Sequence, residues 1–344
     1  MEFGSIGSTN IKVSKLCIGT MTFGSQNNAN EAFNLLDYAF NSGINFIDLA
    51  EMYPAPATPN TSGKSEEIVG SWLKLNRQRE KIVLSDKVAG PGAWLSHIRE
   101  GKTRLVYKDI VNAIEGSLKR LGTEYIDLYQ IHWPERTVNM SGEREYTHDD
   151  TPTTPLEETL SALQRIVSDG KARAIGISNE TPWGVMNYIA FSNYLNLPRI
   201  QTLQNPYNLL NRTFEINFSE ICLREKIGLL AYSPLAFGVL TGKYDESTPQ
   251  GTRSSTFGQM YRYLNEQTLA ASRKYSQLAK QNGLTPAKMA LSYVLAKPFV
   301  LSCILGATNL RQLEENVASE KIKLSKDIME SIERIHNEHA NPAT

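Results

Sequence analysis

Cysteine is scarce in this chain. Three among 344 residues, Cys17, Cys222 and Cys303, lie far apart and form neither a CxxC pair nor a Cys/His metal spacing. That argues against a disulfide-stapled scaffold and a zinc cluster, and an odd, small number suits a reducing compartment. Net charge is absent too, since 36 basic side chains balance 36 acidic ones. No general attraction to nucleic acid or to an anionic membrane is expected, so any anion site must be local. No run approaches the roughly 20 apolar residues that span a bilayer, and Met1 to Val13 lacks an apolar signal core. A cytoplasmic location is the expectation. No GxGxxG follows a strand-like run, which argues against a Rossmann domain.

What is present is alternation, in a chain whose 41% hydrophobic content provides for a large core. Short apolar, β-rich runs are each followed by a stretch of helical period. Strands are predicted at Lys15–Thr20, Asn45–Ala50, Ile82–Val88, Ile126–Trp133, Ala172–Ser178, Thr202–Asn205, Gly228–Ser233 and Leu301–Gly306. The helices paired with them are Asn30–Ser42, Ser65–Leu75, Tyr107–Leu121, Leu156–Ser168, Pro182–Asn196, Thr213–Glu225, one within Glu266–Asn282, and Arg311–Ser319. Two further helical patterns lie at Thr285–Ala296 and Lys326–Asn337, and the N-terminus has the pattern of the first arm of a short hairpin. Eight β→α pairs with right-handed crossovers are the number that closes an α/β (β/α)8 TIM barrel. No Pro/Ser-rich linker interrupts residues 1–344, so a single barrel domain is expected. Gly43, Gly122, Gly170 and Gly228 stand between a helix and the next strand, where a left-handed cap is expected.

Three connections are too long to be simple turns: Gly90–Val106, Pro134–Pro155 and Leu235–Leu264. All follow strands, so all would crowd the face where barrel chemistry occurs. The same face collects ionisable residues. The second barrel strand ends in Asp48 with Tyr53 five residues on, the third in Lys87, and the fourth in His132. Each alone has an ordinary structural explanation; together, on consecutive strands, they make a candidate catalytic set. Reduction of a carbonyl leaves an alkoxide to be protonated. A phenol can supply that proton, although its pKa near 10 makes it a poor acid. A buried ammonium beside it favours the phenolate. The ammonium needs a carboxylate partner, and a neutral imidazole can hydrogen-bond the carbonyl oxygen. Asp48, Tyr53, Lys87 and His132 fit those roles. A metal-dependent barrel enzyme would need several His and carboxylate ligands at strand ends. The chain has five histidines, and only His132 is placed there.

The segments Asp48-Leu49-Ala50-Glu51-Met52-Tyr53, Ser85-Asp86-Lys87, Asp127 to Trp133, and Gly176-Ile177-Ser178-Asn179 resemble the aldo-keto reductases over almost the whole chain. GTMTFG at 19–24, AEMYP at 50–54, SNET at 178–181 and GVMNY at 184–188 resemble a bacterial branch of that family. The resemblance implies reduction of an aldehyde or ketone with NADPH, Tyr53 being the proton donor. Asp86 stands where many members carry Ser or Thr.

The resemblance also distributes cofactor contacts along the later strands. Ser178, Asn179 and Gln204 would hold the nicotinamide carboxamide, and Tyr232 would stack on its ring. Backbone from Ser233 through Pro234, Leu235, Gly238 and Leu240 would bind the pyrophosphate, as a small-residue loop allows. Gly306, Thr308, Gln312, Glu315 and Asn316 resemble the adenosine site. Many members place Lys and Arg where this chain has Gly306 and Gln312. The 2′-phosphate cations would then come from the long loop after the seventh strand, as Lys243 and Arg253. Met21, Phe23, Met52, Trp94 and Trp133 would give an apolar, aromatic mouth for a small carbonyl substrate, with core packing an equal account of Met21 and Phe23. The potassium-channel β subunits share the fold and cofactor site, so a regulatory subunit with little turnover is the alternative.

Overall fold

A computed structural model describes residues 1–140, 142–245 and 262–344. Two short strands, β1 (Phe3–Ser5) and β2 (Lys12–Ser14), pair antiparallel. Eight more are parallel: β3 (Leu16–Gly19), β4 (Phe46–Asp48), β5 (Val83–Val88), β6 (Ile126–Ile131), β7 (Ala172–Ser178), β8 (Ile200–Pro206), β9 (Gly228–Tyr232) and β10 (Val300–Leu305). They run in chain order around a closed barrel, with β10 returning to β3. The TIM barrel expected from the alternation is therefore the fold, with the hairpin added at its start.

The helices follow the predicted boundaries within a residue or two, from Ala29–Asn41 to Lys326–Glu338. The first is set by its own sequence: Asn28 accepts from the Glu31 N–H, and the Glu31 carboxylate accepts from the Asn28 N–H. One expected helix is divided. Residues 213–225 form Thr213–Asn217 and Ser219–Glu225, because Phe218 leaves helical geometry while its ring stacks on Phe214 at 4.8 Å. Gly228 also departs from expectation. Left-handed backbone occurs at Gly43, Gly122 and Gly170, but before β9 it falls on Lys226. Gly228 instead lies against β10, where a Cβ would come within 2.5 Å of Leu301 Cβ.

Alternation within the strands sorts side chains by depth. Ile47, Leu84, Tyr129, Ile175, Ile177 and Leu203 point outward and pack under the helices. Phe46, Val83, Leu128, Ala174 and Leu230 point inward and form an apolar floor. The hairpin closes that floor: Ile6, Ile11 and Val13 join the same cluster, and Gln201 on β8 accepts from the Ser8 N–H at 2.8 Å. Further up β4, β5, β6 and β8, inward positions are polar: Asp48, Ser85, Gln130 and Thr202. Gly176 makes room for them, since a Cβ there would lie 2.3 Å from the Thr202 hydroxyl and 3.1 Å from Gln130. Among the described residues, no helix is long and apolar enough to cross a membrane.

Candidate active site

The four residues singled out at strand ends meet above this floor. Lys87 is fully buried. Its ammonium donates to Asp48 Oδ2 at 2.7 Å and to the Leu49 carbonyl at 2.5 Å. It lies 5.1 Å from the centroid of the Tyr53 ring. The Tyr53 and His132 rings meet edge to face at 5.6 Å. The turn that carries Tyr53 closes through its N–H to the Ala50 carbonyl at 2.9 Å. The arrangement follows from strand parity, because Asp48 and Lys87 occupy inward positions on β4 and β5 and His132 continues the same alternation one residue past β6.

The other Asp48 oxygen is equally engaged. Oδ1 accepts from Gln204 Nε2 at 2.9 Å and from Ser85 Oγ at 3.1 Å, and Ser85 in turn accepts from Gln130 Nε2 at 2.7 Å. Gln204, expected at the cofactor, is thus bonded to the Asp48–Lys87 pair. Ser85 and Gln130 were not singled out from the sequence. The signal that could have found them is their place two residues before Lys87 and His132, on the same inward face.

Electrostatics assign a protonation state to each group. Burial works against the Lys87 ammonium, but the Asp48 carboxylate and Tyr53 outweigh it and lift its pKa above the ordinary value. Tyr53 differs from expectation. Lys87 pulls its pKa down, yet burial is the larger effect and Asp48 adds to it, so the phenol ends above its usual value and keeps its proton. Burial, assisted by Lys87, depresses the His132 pKa well below 6.5, so the imidazole is neutral. Among the described residues its Nδ1 has no hydrogen-bond partner. Asp86 points to the opposite side of β5, where its carboxylate accepts from the Lys87 N–H at 2.8 Å. Burial and the neighbouring Glu66 raise its pKa well above normal.

The later strands bring the predicted cofactor residues to the same rim. Ser178 Oγ donates to the Gln204 carbonyl at 2.8 Å. Asn179 has left-handed backbone; its Nδ2 donates to the His132 carbonyl at 2.9 Å and its Oδ1 accepts from the Tyr232 hydroxyl at 2.7 Å. After β9 the chain takes positive φ at Ser233, Ala236, Phe237, Gly238 and Gly242. Such conformations are uncommon for non-glycine residues; here the Ala236, Gly238 and Leu240 N–H groups donate to the Ser233 and Leu235 carbonyls and close the turn on itself. Pro234 and Leu240 are buried beneath this turn and Leu235 packs against the core. Lys243 is exposed and crosses Gly238, its Nζ 2.7 Å from where a Cβ would stand. Arg253 lies outside the described residues. After β10, Gly306 is exposed, and Asn309 caps the helix Leu310–Ala318 by accepting from the Gln312 N–H at 3.0 Å. The Gln312 carboxamide folds back to accept from the Thr308 N–H at 2.9 Å. Glu315 is half-buried and Asn316 buried on that helix.

The aromatic mouth is divided. Met52 and Trp133 pack with Ala50, Ala89 and Leu95 beside Tyr53, and the half-exposed Trp94 stacks on Trp133 at 5.8 Å. Phe23 belongs to the core beneath the helices. Met21 is half-buried, and its carbonyl accepts from the Ala55 N–H at 3.0 Å.

Comparison with known proteins agrees with this geometry. The family model described as "Aldo/keto reductase family" matches residues 15–337. "Protein tas" of Escherichia coli is 45% identical over the full length of both chains. A "Putative voltage-gated potassium channel subunit beta" of Schizosaccharomyces pombe is 32% identical, covering 98% of this chain and 94% of its own. An "L-glyceraldehyde 3-phosphate reductase" of Escherichia coli is 32% identical over 92% of this chain and 87% of its own. The chain is an oxidoreductase that belongs to the aldo/keto reductase family.

Proposed function

We propose that this protein reduces an aldehyde or ketone to the alcohol with NADPH, in one barrel domain spanning residues 1–344, and that it works in the cytoplasm on a small-molecule substrate. The observation that carries the reading is a fully buried Lys87, paired with Asp48 at 2.7 Å and set beside Tyr53 and His132. A buried ion pair of this kind is costly to build for stability alone.

When bound, the nicotinamide supplies the hydride that no side chain can. Tyr53 delivers its proton to the carbonyl oxygen. Its phenol is neutral at working pH, as a donor must be, and Lys87 offsets the cost of its becoming phenolate. Asp48 holds Lys87 charged and in place. His132, neutral and edge-on to Tyr53, orients the carbonyl by a hydrogen bond. Ser178, Asn179, Gln204 and Tyr232 form the nicotinamide end of the cofactor site. The left-handed turn from Ser233 to Leu240 fits the pyrophosphate, and Gly306, Thr308, Gln312, Glu315 and Asn316 fit the adenosine. Lys243, lying over Gly238, supports a phosphate nearby and with Arg253 would read the 2′-phosphate.

An NADPH-oxidation screen over aldehydes, ketones and quinones tests the reading. Turnover of at least one class is expected. Negligible turnover with retained NADPH binding would favour the cofactor-binding regulatory subunit, the reading that the channel-subunit relative supports.

A further inference from the structure

The long connection between β5 and the helix Tyr107–Leu121 carries Trp94 over the mouth, and something must hold it there. Its middle residues, Arg99 and Glu100, both have left-handed backbone, a conformation that persists in non-glycine residues where the surroundings enforce it. Backbone bonds from Gly101 to Ile98 and from Lys102 to Arg99 close the turn, and the Arg99 side chain anchors it. Its guanidinium grips the Glu51 carboxylate with both arms, at 2.8 and 2.6 Å. Glu51 is itself buried, two residues before Tyr53, and its Oε1 accepts from the Ala89 N–H at the exit of β5 at 2.6 Å. One fork therefore ties the middle of the loop to the turn that carries Tyr53 and to the end of the strand that carries Lys87.

The apolar wall lies between those ties. Trp133 donates its indole N–H to the Pro91 carbonyl at 2.9 Å. Gly90 passes so close that a Cβ would stand 2.5 Å from the indole. Leu95 and Ile98 fill the space beside Met52 and Tyr53. A second tie, His97 to Ser62 at 2.7 Å, holds the far side. Arg99 makes no hydrogen bond or ion pair with Asp48, Tyr53, Lys87 or His132.

We propose that Arg99 and Glu51 are positioning residues that clamp the Gly90–Val106 loop onto the Tyr53 turn, and that they thereby set how well the mouth accepts bulky, flat carbonyl substrates. The substrate half of this rests on the reductase reading above; the clamp does not. A planar fork holds a loop in one place where an ammonium would allow several. A buried pair contributes more to geometry than to net stability.

The test uses the full-length chain with Arg99→Met and Arg99→Lys. KM and kcat are measured for a naphthaldehyde and for propanal, and acrylamide quenching of tryptophan fluorescence, in chains that also carry Trp183→Phe, reports on the stacked Trp94–Trp133 pair. In Arg99→Met, KM for the naphthaldehyde should rise roughly 10–100-fold while propanal changes less than about twofold, with kcat for both within about threefold. Arg99→Lys should fall between, and it serves alone if the Met variant does not fold. Quenching should increase in both variants. Equal losses for both aldehydes, or unchanged quenching, would overturn the proposal. If the native chain turns over neither aldehyde, the reductase reading loses support, and quenching by itself decides the clamp.

Discussion

The two halves of the barrel rim are built differently. On β4 to β6 the strands carry a bonded set below the rim: Lys87, Asp48, Ser85 and Gln130 form a continuous chain of contacts at 2.7 to 3.1 Å, with Tyr53 and His132 just beyond the strand ends. On β7 to β10 the candidate groups begin at the last strand residues, Ser178 and Tyr232, and continue beyond the rim onto turns, several with left-handed backbone, where Lys243 and Gly306 are exposed. The first half fixes atoms; the second leaves a surface that a large ligand can cover. Gln204 joins the two, since it stands on β8 and donates to Asp48. Chemistry that tolerates little displacement belongs on rigid strands, whereas recognition of a long, flexible cofactor can be spread over many weak contacts.

If that division is right, substitutions in the first half should have large effects on turnover and small ones on cofactor binding. Tyr53→Phe removes a hydroxyl and leaves the ring packing. Turnover should fall by about 10²–10⁴-fold, with NADPH affinity by fluorescence titration nearly unchanged. Lys87→Met should also lower turnover. The two losses should not add, because Lys87 acts through Tyr53. Near-normal turnover in Tyr53→Phe would remove it as proton donor and leave the barrel intact.

The second half should show the reverse. Replacing Lys243 and Arg253 by Ala should weaken NADPH by about 1–3 kcal/mol, the lower end reflecting the exposure of Lys243, and leave NADH binding and the chemical step alone. Equal losses for both cofactors would mean that these cations do not distinguish the 2′-phosphate.

The smallest effect concerns stability. The folded-state pKa of His132 is depressed below that of the unfolded chain. Above about pH 6.5 both states are neutral there and nothing is lost. As pH falls below that value the unfolded chain binds the proton first, so stability declines by up to about 1.4 kcal/mol per unit until the folded pKa is reached. His336, also depressed by burial, adds to the same slope. His132→Gln should flatten part of it in urea titrations between pH 6.5 and 5. An unchanged slope would show that His132 is not held neutral by the fold.

Sequence reached further into this molecule wherever information was local or periodic. The strand–helix alternation marked every barrel strand, and strand ends marked Asp48, Lys87 and His132. Contacts between distant segments were beyond it. Nothing near Glu51 signals that Arg99, 48 residues away, will grip it. Nothing near Gly228 announces that Leu301 will lie against it. The Tyr53 pKa was misjudged for a related reason: the charge of Lys87 is visible in the sequence, but the burial that outweighs it is a property of the finished barrel.

The hairpin at the floor has a consequence for the ion pair above it. Ile6, Ile11 and Val13 close the lower end with apolar side chains, and Asp48 and Lys87 are themselves buried, so little solvent screens the pair from below. A group that covered the rim would lower the local dielectric further. The attraction across 2.7 Å would then deepen.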